Sequence, residues 1–175
     1  EGPGGKLLNG DEQEVDDEGL RASLLFQPTE ELSFLLVHHY MEREIDRFGF
    51  VDGPGAGYNG PAISADDRRG VVEEMGTQEQ EIGITSLQAS WDVAEHRLVY
   101  IGGYQDLQDG FDSDLDAANA IVDYSSPQRV RSDFEVKTHE LRLESTGERR
   151  VDYNLGLWYS DTSTETDVTQ LSELT

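Results

Sequence analysis

The feature that most constrains this chain is an alternation of period two that arrives in pairs of runs. Leu20, Ala22, Leu24 and Phe26 take one parity, and Arg21, Ser23, Leu25 and Gln27 the other. Successive side chains of a β-strand point to opposite faces, so such a run is a strand with one apolar face. Pro28-Thr29-Glu30-Glu31 makes a turn, because proline cannot continue a ladder. A second run follows from Leu32 to about Ile45. Leu32, Phe34, Leu36, His38 and Tyr40 share a parity, but the first half is apolar on both parities, which leaves its facing open.

The pattern recurs twice. One pair runs from Ile82 to Trp91 and from Leu98 to Tyr104, with a turn at Asp92–His96. In its second strand Val99 and Ile101 oppose Leu98, Tyr100 and Tyr104. The other pair starts at Phe134–Ser145, with Leu141 and Leu143 opposite Glu140, Arg142 and Glu144. It turns at Thr146-Gly147-Glu148-Arg149, where glycine supplies positive φ. It returns through Val151, Tyr153, Leu155, Leu157 and Tyr159, alternating with Asp152, Asn154, Gly156, Trp158 and Ser160. The expected fold is therefore all-β, with about six strands of about ten residues in antiparallel up-and-down hairpins near 19–45, 82–106 and 133–161.

The connections are uneven. Within each hairpin the turn is short. Between hairpins lie long acidic stretches, roughly 46–80 and 107–132. The first is broken by Gly53-Pro54-Gly55-Ala56-Gly57 and Asn59-Gly60-Pro61, and the second has a helical turn expected at Ala117–Val122. Strands of about 9–11 tilted residues cross a bilayer, and outer-membrane β-barrels have short turns on one side and long loops on the other. Tyr40, Trp91, Tyr100, Tyr104, Trp158 and Tyr159 are candidates for an aromatic girdle. Soluble sandwiches are also built from alternating strands, but connections of this length are unusual in them.

Composition narrows the function. Thirteen Lys and Arg against 37 Asp and Glu give a formal charge of −24. That argues against nucleic acid, whose phosphates need a basic patch, and against adsorption to an anionic membrane surface. An apolar content of 35% is thin for a packed helical bundle, and no apolar run reaches the length of a membrane helix. The absence of cysteine excludes disulfides, a thiol nucleophile and Cys-ligated metal. Residues 1–18 are Gly-rich and then acidic, and 162–175 are polar. Glu1-Gly2-Pro3-Gly4-Gly5 is neither an initiator Met nor a signal peptide, so the 175 residues read as one partial domain excised from something longer.

The ordered hairpins carry a resemblance. Gly19–Thr29 resembles an "R-x-x-L-x-x-x-P-T/N" hairpin, followed by Leu32–Tyr40. Leu87-Gln88-Ala89-Ser90-Trp91-Asp92 and Leu98–Tyr104 resemble an apolar–aromatic–Asp strand and its return. Thr138-His139-Glu140-Leu141-Arg142-Leu143-Glu144-Ser145 resembles "S-x-E-L-R-L-x-S", and Tyr153–Tyr159 resembles the "W-x-x-G-L-F/Y-Y" strand after it. Together residues 19–160 resemble the middle of the barrel of a TonB-dependent outer-membrane receptor. Thr138, His139 and Tyr100 depart from that family's usual residues. The plug domain, TonB box and closing strands have no counterpart here, so the segment alone, with edges at Leu20 and Tyr159, is expected to transport nothing. The resemblance implies a non-enzymatic transporter in the outer membrane of a Gram-negative bacterium. Its partners would be the TonB complex, its own plug domain, outer-membrane lipid and a scarce cargo such as a ferric siderophore. The acidic loops would face the exterior, where they suit solubility, cationic ligands or divalent ions bridging lipopolysaccharide. A soluble acidic β-domain binding a ligand or carbohydrate, of a kind suited to high salt, is the alternative. A glycoside hydrolase is a more distant one.

Individual constellations add little. His38 and His39 point to opposite faces of a strand, and no His-Glu-x-x-His spacing exists. Asp112, Asp114, Asp116 and Asp123 have the spacing of a calcium loop, but Ala117 stands where the sharp turn needs glycine, and a solvated acid cluster is the plainer reading. Glu140, Arg142 and Glu144 share a face as lumen charges would, and the glycosidase reading of such carboxylates lacks a pocket. Gly53–Gly57 lacks the Lys-Ser/Thr ending of a phosphate loop, and there is no Gly-x-Ser-x-Gly elbow. No cofactor is implied.

Overall fold

In the computed structural model, residues 6–9, 14–47, 69–72, 76–114, 124–147, 150–171 and 173–174 are described. They form ten strands: β1 (Lys6–Asn9), β2 (Val15–Phe26), β3 (Leu32–Arg47), β4 (Arg69–Val72), β5 (Gly76–Val93), β6 (His96–Asp114), β7 (Tyr124–Ser125), β8 (Pro127–Ser145), β9 (Asn154–Gln170) and β10 (Glu173–Leu174). Six of them make one antiparallel sheet in the order β2-β3-β5-β6-β8-β9, each long strand beside its neighbour in sequence. β1 pairs with β4 and β7 with β10 in two small ladders. The all-β, up-and-down architecture expected from the alternation is present, and the sheet is open at β2 and β9.

The strands are longer than expected. They hold 12 to 19 residues instead of about ten, so the three hairpins span 15–47, 76–114 and 127–170. Residues assigned to loops at 76–80, 107–114 and 127–132 are ladder, with Gln108 opposite Asp133 and Phe111 opposite Val130. The physical reason is that the apolar parity flips part-way along. In β6 the apolar residues are Leu98, Tyr100 and Tyr104, then Leu107 and Phe111. In β3 they are Leu32 to Tyr40, then Met41 and Ile45. A reading that follows one apolar parity loses the strand where it changes face. The expected helical turn at 117–122 lies outside the described residues.

The register fixes which residues share a face, because directly opposed residues of antiparallel strands point the same way. One row runs Phe26, Phe34, Ala89, Tyr100, Leu141, Leu157 across the six strands. The next row on the same face runs Leu24, Leu36, Leu87, Gly102, His139, Tyr159. The opposite face carries rows such as Ser23, Val37, Ser86, Gly103, Thr138, Ser160.

The two faces are unequally crowded. In β8, Asp133, Glu135, Lys137, His139 and Leu141 are exposed, whereas Phe134, Val136, Thr138, Glu140 and Arg142 on the other face are half-buried. β5 follows this less closely: Glu79, Glu81, Leu87 and Trp91 are exposed against half-buried Gln78, Gln80, Ile82, Ser86 and Ser90, but Ile84 and Gln88 are exposed and Thr85 and Ala89 half-buried. The described elements stack no second layer on the sheet, so the asymmetry is that of a twisted, curled sheet, which crowds side chains on its inner side. We infer from this crowding that the face of Leu36 and Leu157 is the convex one and that of Val37 and Thr138 the concave one. Among the described residues the only buried large apolar side chain is Val99, 7% exposed, on the concave side. An ordinary domain closes a core between two layers; this sheet has none.

All the short turns lie at one end: 27–31, 94–95 and 146–153. The chain passes between hairpins at the other end through 48–75 and 115–126. The β5–β6 turn holds Ala94 at φ 53°, the one non-glycine residue with positive φ among those described, and Gly147 takes φ 88° in the last turn.

Candidate functional site

The convex face divides in two along its length. Next to the short turns it is an apolar band: Leu20, Leu24 and Phe26 on β2, Leu32, Phe34, Leu36 and Tyr40 on β3, Leu87 and Trp91 on β5, Leu98, Tyr100 and Tyr104 on β6, Leu141 and Leu143 on β8, and Leu155, Leu157 and Tyr159 on β9. Most of it is open, with Leu157 75%, Leu24 63% and Trp91 50% exposed. A continuous exposed apolar surface of this size marks contact with something other than water. On β3 the band runs from Leu32 to Tyr40, eight steps or about 27 Å along the strand.

Beyond the band, toward the long connections, the convex face turns acidic. Asp16, Glu18, Glu42, Glu44, Glu79, Glu81, Asp106, Asp133, Glu135, Glu165 and Asp167 lie there, with few cations among them. Arg129 reaches Asp112 through Nε at 3.0 Å and Nη2 at 3.3 Å, and Arg131 reaches the same carboxylate at 3.3 Å. Arg131 lies across Gly110, where an added Cβ would meet its Cδ at 2.8 Å. The hydrogen bond from Arg129, with the charge of Arg131, holds the Asp112 carboxyl below its ordinary range.

The concave face is mixed. At the band's level it carries ion pairs and small polar residues together with apolar ones, Leu25, Leu35, Ile101 and Trp158 sharing one row with Gln88 and Glu140, and Val37, Ile84 and Val99 lying near it. Asp92 takes a two-pronged hydrogen bond from Arg97 at 2.7 and 3.0 Å, and Glu140 is paired with Arg142. Ser23, Ser86, Thr138 and Ser160 lie between. Toward the long connections it becomes apolar in two rows, Met41, Ile82, Leu107 and Phe134, then Ile45, Phe111 and Val130. Between these rows Arg43 holds Asp17 at 2.5 and 3.0 Å, and Gln78 and Gln80 donate to Asp109 at 2.8 and 2.7 Å. The Arg43 hydrogen bond lowers the Asp17 pKa.

Of the residues singled out for a girdle, Tyr40, Trp91, Tyr100, Tyr104 and Tyr159 lie on the convex face, but Trp158 lies on the concave one, opposite Glu140. Tyr100 sits inside the band, its hydroxyl 2.7 Å from His139 Nδ1, and the His139 ring stacks between Tyr100 and Tyr159 at 6.1 and 6.3 Å. His38 meets Thr85 Oγ1 at 2.9 Å. His96 and Tyr153 join at 2.6 Å beside the short turns. Nothing local in the sequence marks Tyr153 as facing His96, 57 positions away.

Two of the four calcium candidates are among the described residues. Asp112 and Asp114 belong to the extended strand β6 instead of a loop, and Asp112 is already held by two arginines. Asp116 and Asp123 lie outside the described residues. Among the described residues no group of three or more His, Cys, Asp or Glu is placed to hold a metal ion, and no helix is long and apolar enough to cross a membrane, which says nothing of crossing by strands. No protein-family model matches the chain, and no curated protein matches it.

Proposed function

We propose that this chain is a segment of an outer-membrane β-barrel, of the TonB-dependent transporter kind, which binds and imports a scarce solute such as a ferric siderophore. The observation that carries the barrel reading is the distribution of polarity over a curled sheet. At the short-turn end most of the exposed apolar residues are on the convex side, and the ion pairs are on the concave side beside a shorter apolar set of Leu25, Leu35, Ile101 and Trp158. A soluble barrel or sandwich puts its apolar residues inside; a barrel in lipid puts them outside and its polar residues toward the lumen. Strand length fits the same reading. About ten residues suffice to cross the bilayer, and the further residues of the 17- to 19-residue strands carry the acidic convex zone out into water on the long-connection side.

The transporter assignment rests on the ordered motifs of residues 19–160 and goes further than the geometry. In that reading the convex band meets lipid, the Asp92–Arg97 and Glu140–Arg142 pairs line the lumen against a plug domain, and edges β2 and β9 continue into further strands. The protein performs no covalent chemistry. Energy for import comes through the TonB complex. The test has two readouts. The protein should be monodisperse only in detergent or lipid, and cells carrying an intact gene should take up iron-loaded siderophores in a TonB-dependent way that disruption abolishes. A monodisperse monomer in detergent-free buffer would refute the barrel and leave a soluble acidic ligand-binding domain. Detergent dependence without any such uptake would keep the barrel and overturn the cargo.

A further inference from the structure

The aromatic and acidic residues of the convex face are not level across the ladder; they descend it as a staircase. Tyr40 on β3 shares a row with Gly83 and Asp106. Tyr104 on β6 is one row nearer the short turns, in the row of Lys137 and Asp161. Tyr159 on β9 is one row nearer still, in the row of Gly102 and His139. Each step is two residues down for two strands across. The carboxylates nearest the band on each strand repeat the descent: Glu18, Glu42 and Glu81 share one row, Asp106 and Glu135 the next, and Asp161 the next.

The polar tips agree in direction. Tyr40 donates to Glu42 at 3.3 Å and Tyr104 to Glu135 at 3.2 Å, each one row toward the long connections. Lys137 lies over the Tyr104 ring at 5.7 Å and turns its ammonium the same way, to Glu135 at 3.4 Å. Amphipathic side chains at a lipid boundary keep their apolar bodies in hydrocarbon and send their heads to water.

Resting on the barrel reading above, we propose that the bilayer surface crosses this sheet obliquely, through the rings of Tyr40, Tyr104 and Tyr159, so that Lys137 and His139 of β8 bracket the headgroup level while His38 of β3 lies beneath it. The obliquity follows from the staircase. Four residues of about 3.4 Å over four strand spacings of about 4.8 Å give a tilt of about 35°. The carboxylate line, with the same fall over five spacings, gives about 30°. Strands of closed barrels tilt by roughly 35–45°. With that tilt the Leu32–Tyr40 band stands about 22 Å high, close to the roughly 25 Å of an outer-membrane belt. The occupant of the band is therefore a bilayer, since a flat protein partner has no reason to respect a line of constant height across six strands. Beneath the line, the polar ring of His38 is matched by Thr85.

The test uses the absence of native cysteine. Single-cysteine variants of the full chain, spin-labelled and placed in phosphatidylcholine bilayers, report depth through their accessibility to oxygen and to a water-soluble nickel chelate. Leu20→Cys and Ser163→Cys occupy one ladder row five strands apart, and the oblique surface separates their depths by about 14 Å, with Ser163 in water. Tyr40→Cys, Tyr104→Cys and Tyr159→Cys should report one common depth. Equal depths for positions 20 and 163, with Leu36→Cys and Leu157→Cys buried in lipid, would overturn the oblique surface and leave the barrel standing. Water accessibility at both 36 and 157 would overturn the barrel and this inference together. All seven positions are on the convex face, where a label displaces no core.

Discussion

Arginine in place of Leu36 is the most direct probe of the convex band. Leu36 lies four residues from Leu32 and four from Tyr40, about 11 Å of height from either edge at the tilt worked out above. It is therefore near the middle of the hydrocarbon. Its row neighbours, Leu24 and Leu87, offer no counter-charge. Arginine at the midplane of a barrel's lipid face costs about 2–4 kcal/mol, falling to about 0–1 near the interface. The same substitution at an exposed position of a soluble protein stays within about 0.5 kcal/mol, and Leu36 is 41% exposed in the bare sheet. The environments thus differ by a factor of roughly 10 or more in the folded-to-unfolded ratio. The assay is urea unfolding in lipid vesicles, followed through Trp91 and Trp158. Leu36→Arg should lose about 2–4 kcal/mol, Leu20→Arg about 0–1, and Ser86→Arg on the concave face less than about 0.5. A loss under 0.5 kcal/mol at Leu36, or no difference between Leu36 and Ser86, would refute lipid contact.

Other consequences follow from single contacts. Ala94 holds a positive φ at the first position of a two-residue hairpin turn, where glycine fits without strain, so Ala94→Gly should raise stability by about 1 kcal/mol in the same unfolding assay. Arginine partners depress the Asp17 and Asp112 carboxyls, so their contribution is present above the ordinary carboxylate range and is lost as pH falls through the lowered values. Acid titration of unfolding should show stability declining below about pH 4, with a smaller decline in Asp112→Asn. An added methyl at Gly102 would meet the Tyr100 hydroxyl at 2.7 Å. Gly102→Ala should therefore separate Tyr100 from His139, seen as a changed His139 ring resonance, with the fold retained.

The hairpins were legible in the sequence because the runs at 20–26 and 151–159 keep one apolar parity for four or five alternations, and Pro28 and Gly147 punctuate the turns. Their true length was not. Once Tyr104 gives way to Leu107, or Tyr40 to Met41, the apolar residues change face, and a strand that inverts its polarity looks locally like a polar loop. The candidate girdle was half legible for a related reason. Aromatic content marks Tyr40, Tyr104 and Tyr159, and it also brings in Trp158, whose parity is opposite to that of Tyr159 and which faces the concave side. At Asp112 the spacing of a calcium loop does not register that the residue is extended and that Arg129 and Arg131 stand opposite and beside it on β8.

What the sequence by itself determined is local: period-two strands, tight turns at one end, long acidic connections at the other, and a charge that excludes nucleic acid. These depend on neighbours within a few residues, which the chain order supplies. What only the tertiary structure decided is relational. Register puts Tyr40, Tyr104 and Tyr159 on one descending line, and the unequal crowding of the two faces points to the one they share as the outer one. Neither can be read from a single strand, because the face on which a side chain stands acquires an inside and an outside only when six strands are hydrogen-bonded and curled together.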